Sequence, residues 1–262
     1  MNNKIDQLKN AVESFDPHII RSNGRRHKLV SQFQMYYEYL AYLELFINRD
    51  LFKAKQAFYQ FGLTDILHTE NLNRDFLTYG ISRNGNVLLS DSKELIEKYG
   101  KLTFPGYEER IAKGDRAIIF NTIQKFMIHD YKGIVKNIGI MEEKMVPKKS
   151  RKAEIPFFLF LKSLLEKDKD GLINQLNDFL SEKVRKKWMK NNYVLKGFTA
   201  FPALGFTKLA WQQGIEIEIE SPYIPMEMMP IRPNDSYVDA YPFLWEMDRN
   251  ELLEFELSDE HC

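Results

Sequence analysis

Apolar residues recur at three- and four-residue spacing along most of this chain, which is the pattern of amphipathic helices. In the first segment Ile5, Leu8, Val12 and Phe15 lie on one helical face, and the helix ends before Pro17. The same periodicity predicts further helices over residues 26–48, 50–61, 91–99, 107–129, 130–145, 156–167, 170–186 and 196–214. We therefore expect a mainly α-helical protein, with Ser92 as an N-cap and a break near Gly114.

Two of the predicted helices begin in a similar way. The links around Asp130 and Asp168 both carry Asp and Gly, and they lie roughly 38 residues apart, a spacing found in helical-hairpin repeats. This similarity favours stacked antiparallel helix pairs over a compact four-helix bundle.

The pattern changes at residues 215–220, where Ile and Glu alternate strictly. Alternation with period two predicts a β-strand, paired with residues 86–89 or 255–257, and hence a small extended or β element near the C-terminus. Beyond Ser221 five prolines forbid long helices. This tail is also rich in aromatic residues and methionine, so we expect it to pack onto the rest of the protein.

The length of 262 residues suits one helical domain over residues 1–262, or two closely packed halves, 1–106 and 107–262. No stretch of about 18 uncharged apolar residues occurs, so no membrane span is expected. The first residues lack the apolar core of a signal peptide, and Cys262 is the single cysteine. These features indicate a reducing, cytoplasmic location.

The sequence carries no motif of a known catalytic site. Phosphate-binding loops, zinc-protease motifs and nucleophile elbows are missing, and no two histidines have helical metal-ligand spacing. We therefore predict a protein that is not an enzyme, with no catalytic residues, no metal and no cofactor. An alternative is a metal-dependent nuclease that assembles scattered acids with the basic segment 183–196.

Charge is balanced overall, with 37 basic and 37 acidic residues, but it is unevenly distributed. Residues 215–262 contain thirteen acids and two bases, a net charge of 2 − 13 = −11, so the remainder carries +11. Basic clusters at 144–152 and 183–196 are interpreted as a solvated linker and a helix C-terminus. With zero net charge, direct nucleic-acid binding is not expected.

Within the acidic third, carboxylates alternate with aromatic residues, as in surfaces that bind basic proteins. The predicted partner-binding residues are Glu216, Glu218, Glu220, Tyr223, Glu227, Asp235, Tyr237, Asp239, Tyr241, Trp245 and Glu246. In the competing interpretation, the apolar members simply seal the end of the helical core.

Residues 197–217 and 221–225 resemble the C-terminal part of the Imm49 family of bacterial immunity proteins. There, as here, a helix rich in small residues and leucine leads to a glycine, a short alternating segment and a proline-containing turn. The resemblance implies a mostly helical protein of polymorphic-toxin systems, made beside a toxin that it neutralises in the cytosol. It implies no catalytic residue.

Two functions follow as hypotheses. The first is an immunity protein of interbacterial competition that inhibits its cognate toxin, a secretion-system effector, by stoichiometric binding; a basic nuclease domain would suit the acidic surface. The second is a helical-repeat scaffold or adaptor that binds other proteins.

Overall fold

The computed structural model describes residues 2–16, 29–72, 81–190 and 192–254. This part of the chain forms α1 (Asn2–Phe15), α2 (Leu29–Leu43), α3 (Leu51–Glu70), α4 (Ile81–Leu89), α5 (Lys93–Gly100), α6 (Tyr107–Ala112), α7 (Ala117–Met127), α8 (Tyr131–Ile140), α9 (Ile155–Glu166), α10 (Lys169–Leu180), α11 (Glu182–Trp188), α12 (Ala203–Gln212) and α13 (Arg249–Glu254). Single π-helical turns follow α2 and α8, at residues 44–48 and 141–145. The prediction of a mainly helical protein is confirmed.

Local signals placed several helix ends correctly. The Ser92 hydroxyl accepts a hydrogen bond from the Leu95 amide at 3.3 Å, as expected of an N-cap. Gly114, at a φ of 64°, lies in the break between α6 and α7. Helix α4 was not predicted, because it is short and contains Gly85 within a run of polar residues, a composition typical of a turn.

The two Asp-Gly links form the same turn. Asp130 and Asp168 each accept a hydrogen bond at 3.0 Å from the amide of the glycine three residues later. In both turns the preceding residue, His129 or Lys167, has a positive φ of 55° or 56°. Helices α7 and α8 pack on each other, as do α9 and α10, and α9 also contacts α8. The predicted helix pairs are therefore present.

The predicted β element is wrong for the described residues, which contain no strand. The alternation itself is correct, because Ile217 and Ile219 are buried whereas the three glutamates are exposed. One expected partner, 86–89, lies inside α4, and the other, 255–257, lies outside the described residues. The carbonyl of Ile217 accepts its hydrogen bond from the Trp211 indole at 3.0 Å, so a side chain replaces the strand partner.

One large hydrophobic core extends from Leu8 to Met229, and its contacts cross residue 106. One such contact is between α4 and α12, where Gly85 faces Gly205. A Cβ atom placed on Gly205 would lie 2.6 Å from the Gly85 Cα, so the two backbones can meet only without side chains. The division into halves 1–106 and 107–262 stays a prediction.

A buried carboxylate joins four of the first helices. Asp65 of α3 accepts hydrogen bonds from Gln34 of α2 at 2.7 Å and from the Tyr99 hydroxyl of α5 at 2.6 Å. It also pairs with Arg83 of α4. Burial, reinforced by the neighbouring carboxylate, raises the pKa of Tyr99 far above its usual value. Asp65 and its partners therefore have a structural role, which is to hold these four helices together.

We predict that Gly205→Ala lowers the free energy of unfolding by about 2 kcal/mol, because neither backbone can yield to the added methyl group. Gly139→Ala is the matched control, since a Cβ there meets nothing within 4 Å on α8. That change should stabilise the protein by up to about 1 kcal/mol through helix propensity. Urea unfolding of both variants measures the difference. Equal stabilities would refute the close packing of α4 on α12.

Candidate partner-binding surface

The predicted partner-binding residues lie on an extended segment after α12, residues 215–246, here called the C-terminal strap. It has no helix longer than the short turns at 226–228 and 242–245. Because an irregular backbone still needs hydrogen-bond partners where it is buried, side chains of the helical body must supply them. Three groups of contacts hold the strap, and single contacts from Arg49, Arg185 and Lys98 add to them.

The first attachment is a buried cluster of two lysines and one aspartate. Asp91, between α4 and α5, lies 2.6 Å from the Lys208 ammonium and 3.0 Å from that of Lys55. Lys208 also donates to the carbonyls of Met228 and Met229, at 2.8 and 3.1 Å. The cluster thus joins α3, α12 and the strap.

Arg232 completes the first attachment through its backbone. Its amide donates to Asp91 at 3.3 Å, and its carbonyl accepts from Lys55. Burial lowers the pKa of Lys208 to about 8, although the attraction of Asp91 opposes this shift. The second ammonium, on Lys55, lowers the pKa further. The cluster holds more positive than negative charge when both lysines are protonated.

The second attachment runs along α3. The amide group of Gln56 donates to the carbonyl of Val238 at 2.7 Å and accepts from its backbone N–H at 3.1 Å. One turn later the Gln60 side chain accepts from the Ala240 amide at 3.0 Å. Two glutamines therefore bond the strap backbone much as a neighbouring strand would.

The third attachment is aromatic. Tyr241 is buried and stacks on Phe33 of α2, with ring centroids 4.4 Å apart. Tyr237 stacks on Tyr59 at 4.8 Å, and its hydroxyl donates to the Ser90 carbonyl. Burial raises the pKa of Tyr237 to about 12. The expectation that the tail packs onto the rest of the protein is confirmed.

The remaining aromatic residues are only partly covered. The Trp245 indole donates to Asp239 at 2.8 Å, and the Lys98 ammonium lies 4.2 Å from its ring centroid. The Arg185 guanidinium lies 4.3 Å from the Tyr223 ring centroid. The packing of these aromatic residues agrees with the interpretation that they seal the core. Their role as anchors for a partner stays a prediction.

Most of the predicted carboxylates face solvent. Those of Glu216, Glu218, Glu220, Glu227, Asp235 and Glu246 are exposed. Glu227 forms an ion pair with Arg49 at 3.0 Å. Asp239 differs, because its two oxygens already accept hydrogen bonds from Tyr241 and Trp245 within the strap. The acidic residues available to a partner are therefore the six exposed ones.

Two of the exposed acids, Glu218 and Glu220, line a groove of about 600 Å³, here called the acidic groove. Its other lining residues are apolar: Trp211, Ile219, Met226 and Pro230. Burial of Ile217 and Ile219 fixes this alternating segment, so Glu218 between them and Glu220 after them point outward. The groove thus combines negative charge with an apolar wall, as expected of a site for a long basic side chain.

Sequence reasoning missed the attachment residues Lys55, Asp91 and Lys208. Lys208 gave a usable signal, since it is the one charged residue of the apolar helix α12 and a buried charge requires a partner. Its partner Asp91 lies more than a hundred positions earlier, and no local pattern could identify it.

The basic clusters have contacts of their own. Lys144 and Lys148 donate to the carbonyls of Ala112 and Lys113, at 3.1 and 3.3 Å, where α6 ends. Cations at a helix C-terminus complement its dipole. In the second cluster Arg185 reaches the strap through Tyr223. Among the described residues, no three His, Cys, Asp or Glu side chains are grouped so that they could hold a metal ion.

The family model Immunity protein 49, Imm49, matches residues 119–228 of this chain. The match runs from α7 through α12 into the strap and confirms the resemblance noted in the sequence. No curated protein matches, and no solved structure matches. None of the helices in the described part of the chain has the length and apolar character needed to cross a membrane.

The shifted pKa of Lys208 predicts how stability depends on pH. Between about pH 8 and pH 10 the unfolded chain holds a proton on this lysine that the folded protein has released. The free energy of unfolding should therefore rise with pH in this window, by up to about 1.4 kcal/mol per unit. Above pH 10 ionisation of the buried tyrosines opposes the trend.

Lys208→Met removes the titrating group, so this rise should disappear. Urea unfolding at pH 8, 9 and 10 measures the slope, with Lys132→Met, at an exposed lysine of α8, as the control. If the free energy of unfolding of Lys208→Met rose with pH as steeply as that of the parent protein, the buried cluster would not be the origin of the pH dependence.

Proposed function

We propose that this protein is a non-catalytic immunity protein that binds a cognate toxin in the cytosol and neutralises it by forming a stoichiometric complex. The observation that carries the proposal is the Imm49 match over residues 119–228. The toxin would be an effector of interbacterial competition, delivered by a secretion system. Inhibition by binding requires a rigid surface and no reactive group.

We further propose that the toxin contacts the exposed acids of the strap. The carboxylates of Glu216, Glu218 and Glu220 are attached to a fixed backbone, because the isoleucines between them are buried and the buried cluster holds the following turn. A surface that is already ordered loses little conformational entropy on binding. The net negative charge of the strap would also attract a basic partner and speed its capture, which matters when free toxin is lethal.

A basic partner of this kind would suit a nuclease, whose active-site cleft must attract phosphates. The carboxylates of Glu216, Glu218 and Glu220 could then occupy positions that the nucleic-acid backbone otherwise takes. Successive outward side chains on an extended segment are about 7 Å apart, which is close to the spacing of phosphates along a strand. The acidic groove would receive one long basic side chain beside them.

The first test is co-expression with the polypeptide encoded immediately upstream. We expect a complex of equal proportions that survives gel filtration, and restored growth of cells that make the toxin. A toxin that still kills in the presence of this protein, with no complex recovered, would overturn the immunity function. A complex that forms without restoring growth would favour a scaffold or adaptor function instead.

The second test addresses the surface. We expect Glu216→Lys, Glu218→Lys and Glu220→Lys together to weaken toxin binding about a hundredfold, mainly by slowing association, because like charges then meet. The effect should shrink at high salt. Asp239 is left unchanged, since its hydrogen bonds hold the strap together.

The control carries the same charge change elsewhere, at Glu108, Glu143 and Glu166, which are exposed and lie outside the strap. Surface plasmon resonance gives both rate constants. If both triple variants lost the same amount of toxin affinity, binding would depend on the net charge of the protein and not on the position of the acids. Unchanged affinity in the strap variant would remove the strap from the interface.

A further inference from the structure

A second groove, of about 560 Å³, opens where the strap crosses the helical body, and we call it the strap groove. Helix α5 contributes Lys93 and Ile96, the turn after α7 contributes His129, and the strap contributes Ile231 and Pro233. This volume is within the range of small-molecule sites. None of these residues belongs to the acidic surface proposed for the toxin.

The wall of the strap groove is mainly apolar. Ile96 and Met127 are buried beneath it, and Ile128 is half-buried beside them. Opposite these, Ile231 leaves 43% of its surface exposed, a large fraction for an isoleucine that faces other apolar groups. An apolar ligand would therefore remove hydrophobic surface from water on both sides.

The charge around the strap groove is positive. At its rim Lys93, Glu97 and Lys101 follow one another on successive turns of α5 and just beyond it, and Lys101 forms an ion pair with Glu97 at 2.5 Å. Asp91 also lines the groove, and behind it are Lys55 and Lys208. Four ammonium groups thus surround two carboxylates, an excess of two positive charges when all are ionised. The inner pair is buried, where charges are screened less than in water.

We propose that the strap groove binds a small organic anion with an apolar body, such as a medium-chain carboxylate. Its hydrocarbon part lies between Ile96 and Ile231, and its carboxylate lies at the rim, within reach of Lys93, Lys101 and the His129 imidazole. This assignment rests on the groove alone and is independent of the toxin.

Such a ligand would also connect two parts of the protein. Ile231 and Pro233 flank Arg232, whose backbone bonds Asp91 and Lys55. An occupant therefore holds the strap against α5 in addition to the attachments already present. Because it binds only the assembled groove, it should raise the thermal unfolding midpoint, by an amount that grows with the logarithm of its concentration divided by its Kd.

The test uses the whole protein and three probes of equal chain length: octanoate, octan-1-ol and octylammonium. Heteronuclear NMR titration gives both affinity and location. We expect octanoate to shift the amide signals of Ile231 and His129 and to bind at least tenfold more tightly than octylammonium, with octanol between them. Equal affinity for the three compounds, no binding of octanoate, or shifts confined to other regions would overturn the proposal.

Two variants then test the named residues. Lys93→Gln with Lys101→Gln should weaken octanoate binding about tenfold and leave octanol unchanged, while Ile231→Asp should weaken both. The control is Lys132→Gln with Lys136→Gln, at exposed lysines of α8 that do not line the groove. All the changed side chains are exposed, so the variants should fold. Octanoate affinity that is the same in the groove and control variants would refute the site.

Discussion

One buried carboxylate, Asp91, holds the extended C-terminal strap to the helical body. It faces the ammonium groups of Lys55 and Lys208, which in turn bond four carbonyls of the strap. A backbone without regular structure can be buried only if its polar groups find partners, and no strand lies beside it in the described residues. Side chains from α3 and α12 provide those partners, so the position of the acidic surface depends on them.

The cluster forms only because the helices approach closely. Gly85 and Gly205 allow α4 and α12 to touch at the backbone, which places Lys208 beside the turn that follows α4. Asp91 lies in that turn with a φ of 59°, immediately before the N-cap of α5. The packing of two small residues and the geometry of one turn therefore decide where the strap lies.

The strap has basic residues of the helical body on its inner side and its own acidic residues on its outer side. Its inner attachments are lysines and glutamines of the body, whereas its glutamates from 216 to 220 face solvent. The same segment contributes to two grooves of opposite character, one bordered by Glu218 and Glu220 and the other by lysines. An ordered strap can thus present acids to a protein partner while its other edge encloses a site suited to an anion.

The sequence by itself determined the features that depend on neighbouring residues. Helical periodicity, the cap at Ser92, the similar Asp-Gly links at Asp130 and Asp168, and the break at Gly114 all involve one or two turns, so a local pattern reveals them. Alternation at 215–220 likewise showed correctly which side chains are buried. The Imm49 resemblance was readable too, because it is carried by one continuous segment.

Only the tertiary structure decided which residues those segments contact. The strand prediction failed because alternation specifies a buried face but not a partner, and helices cover that face here. Helix α4 was missed because Gly85 and its polar neighbours are typical of a turn, and only tertiary packing buries them. The pairing of Tyr241 with Phe33 and of Lys208 with Asp91 joins residues far apart in the chain. Such contacts, and the grooves that they create, arise from how whole helices pack, which no local spacing records.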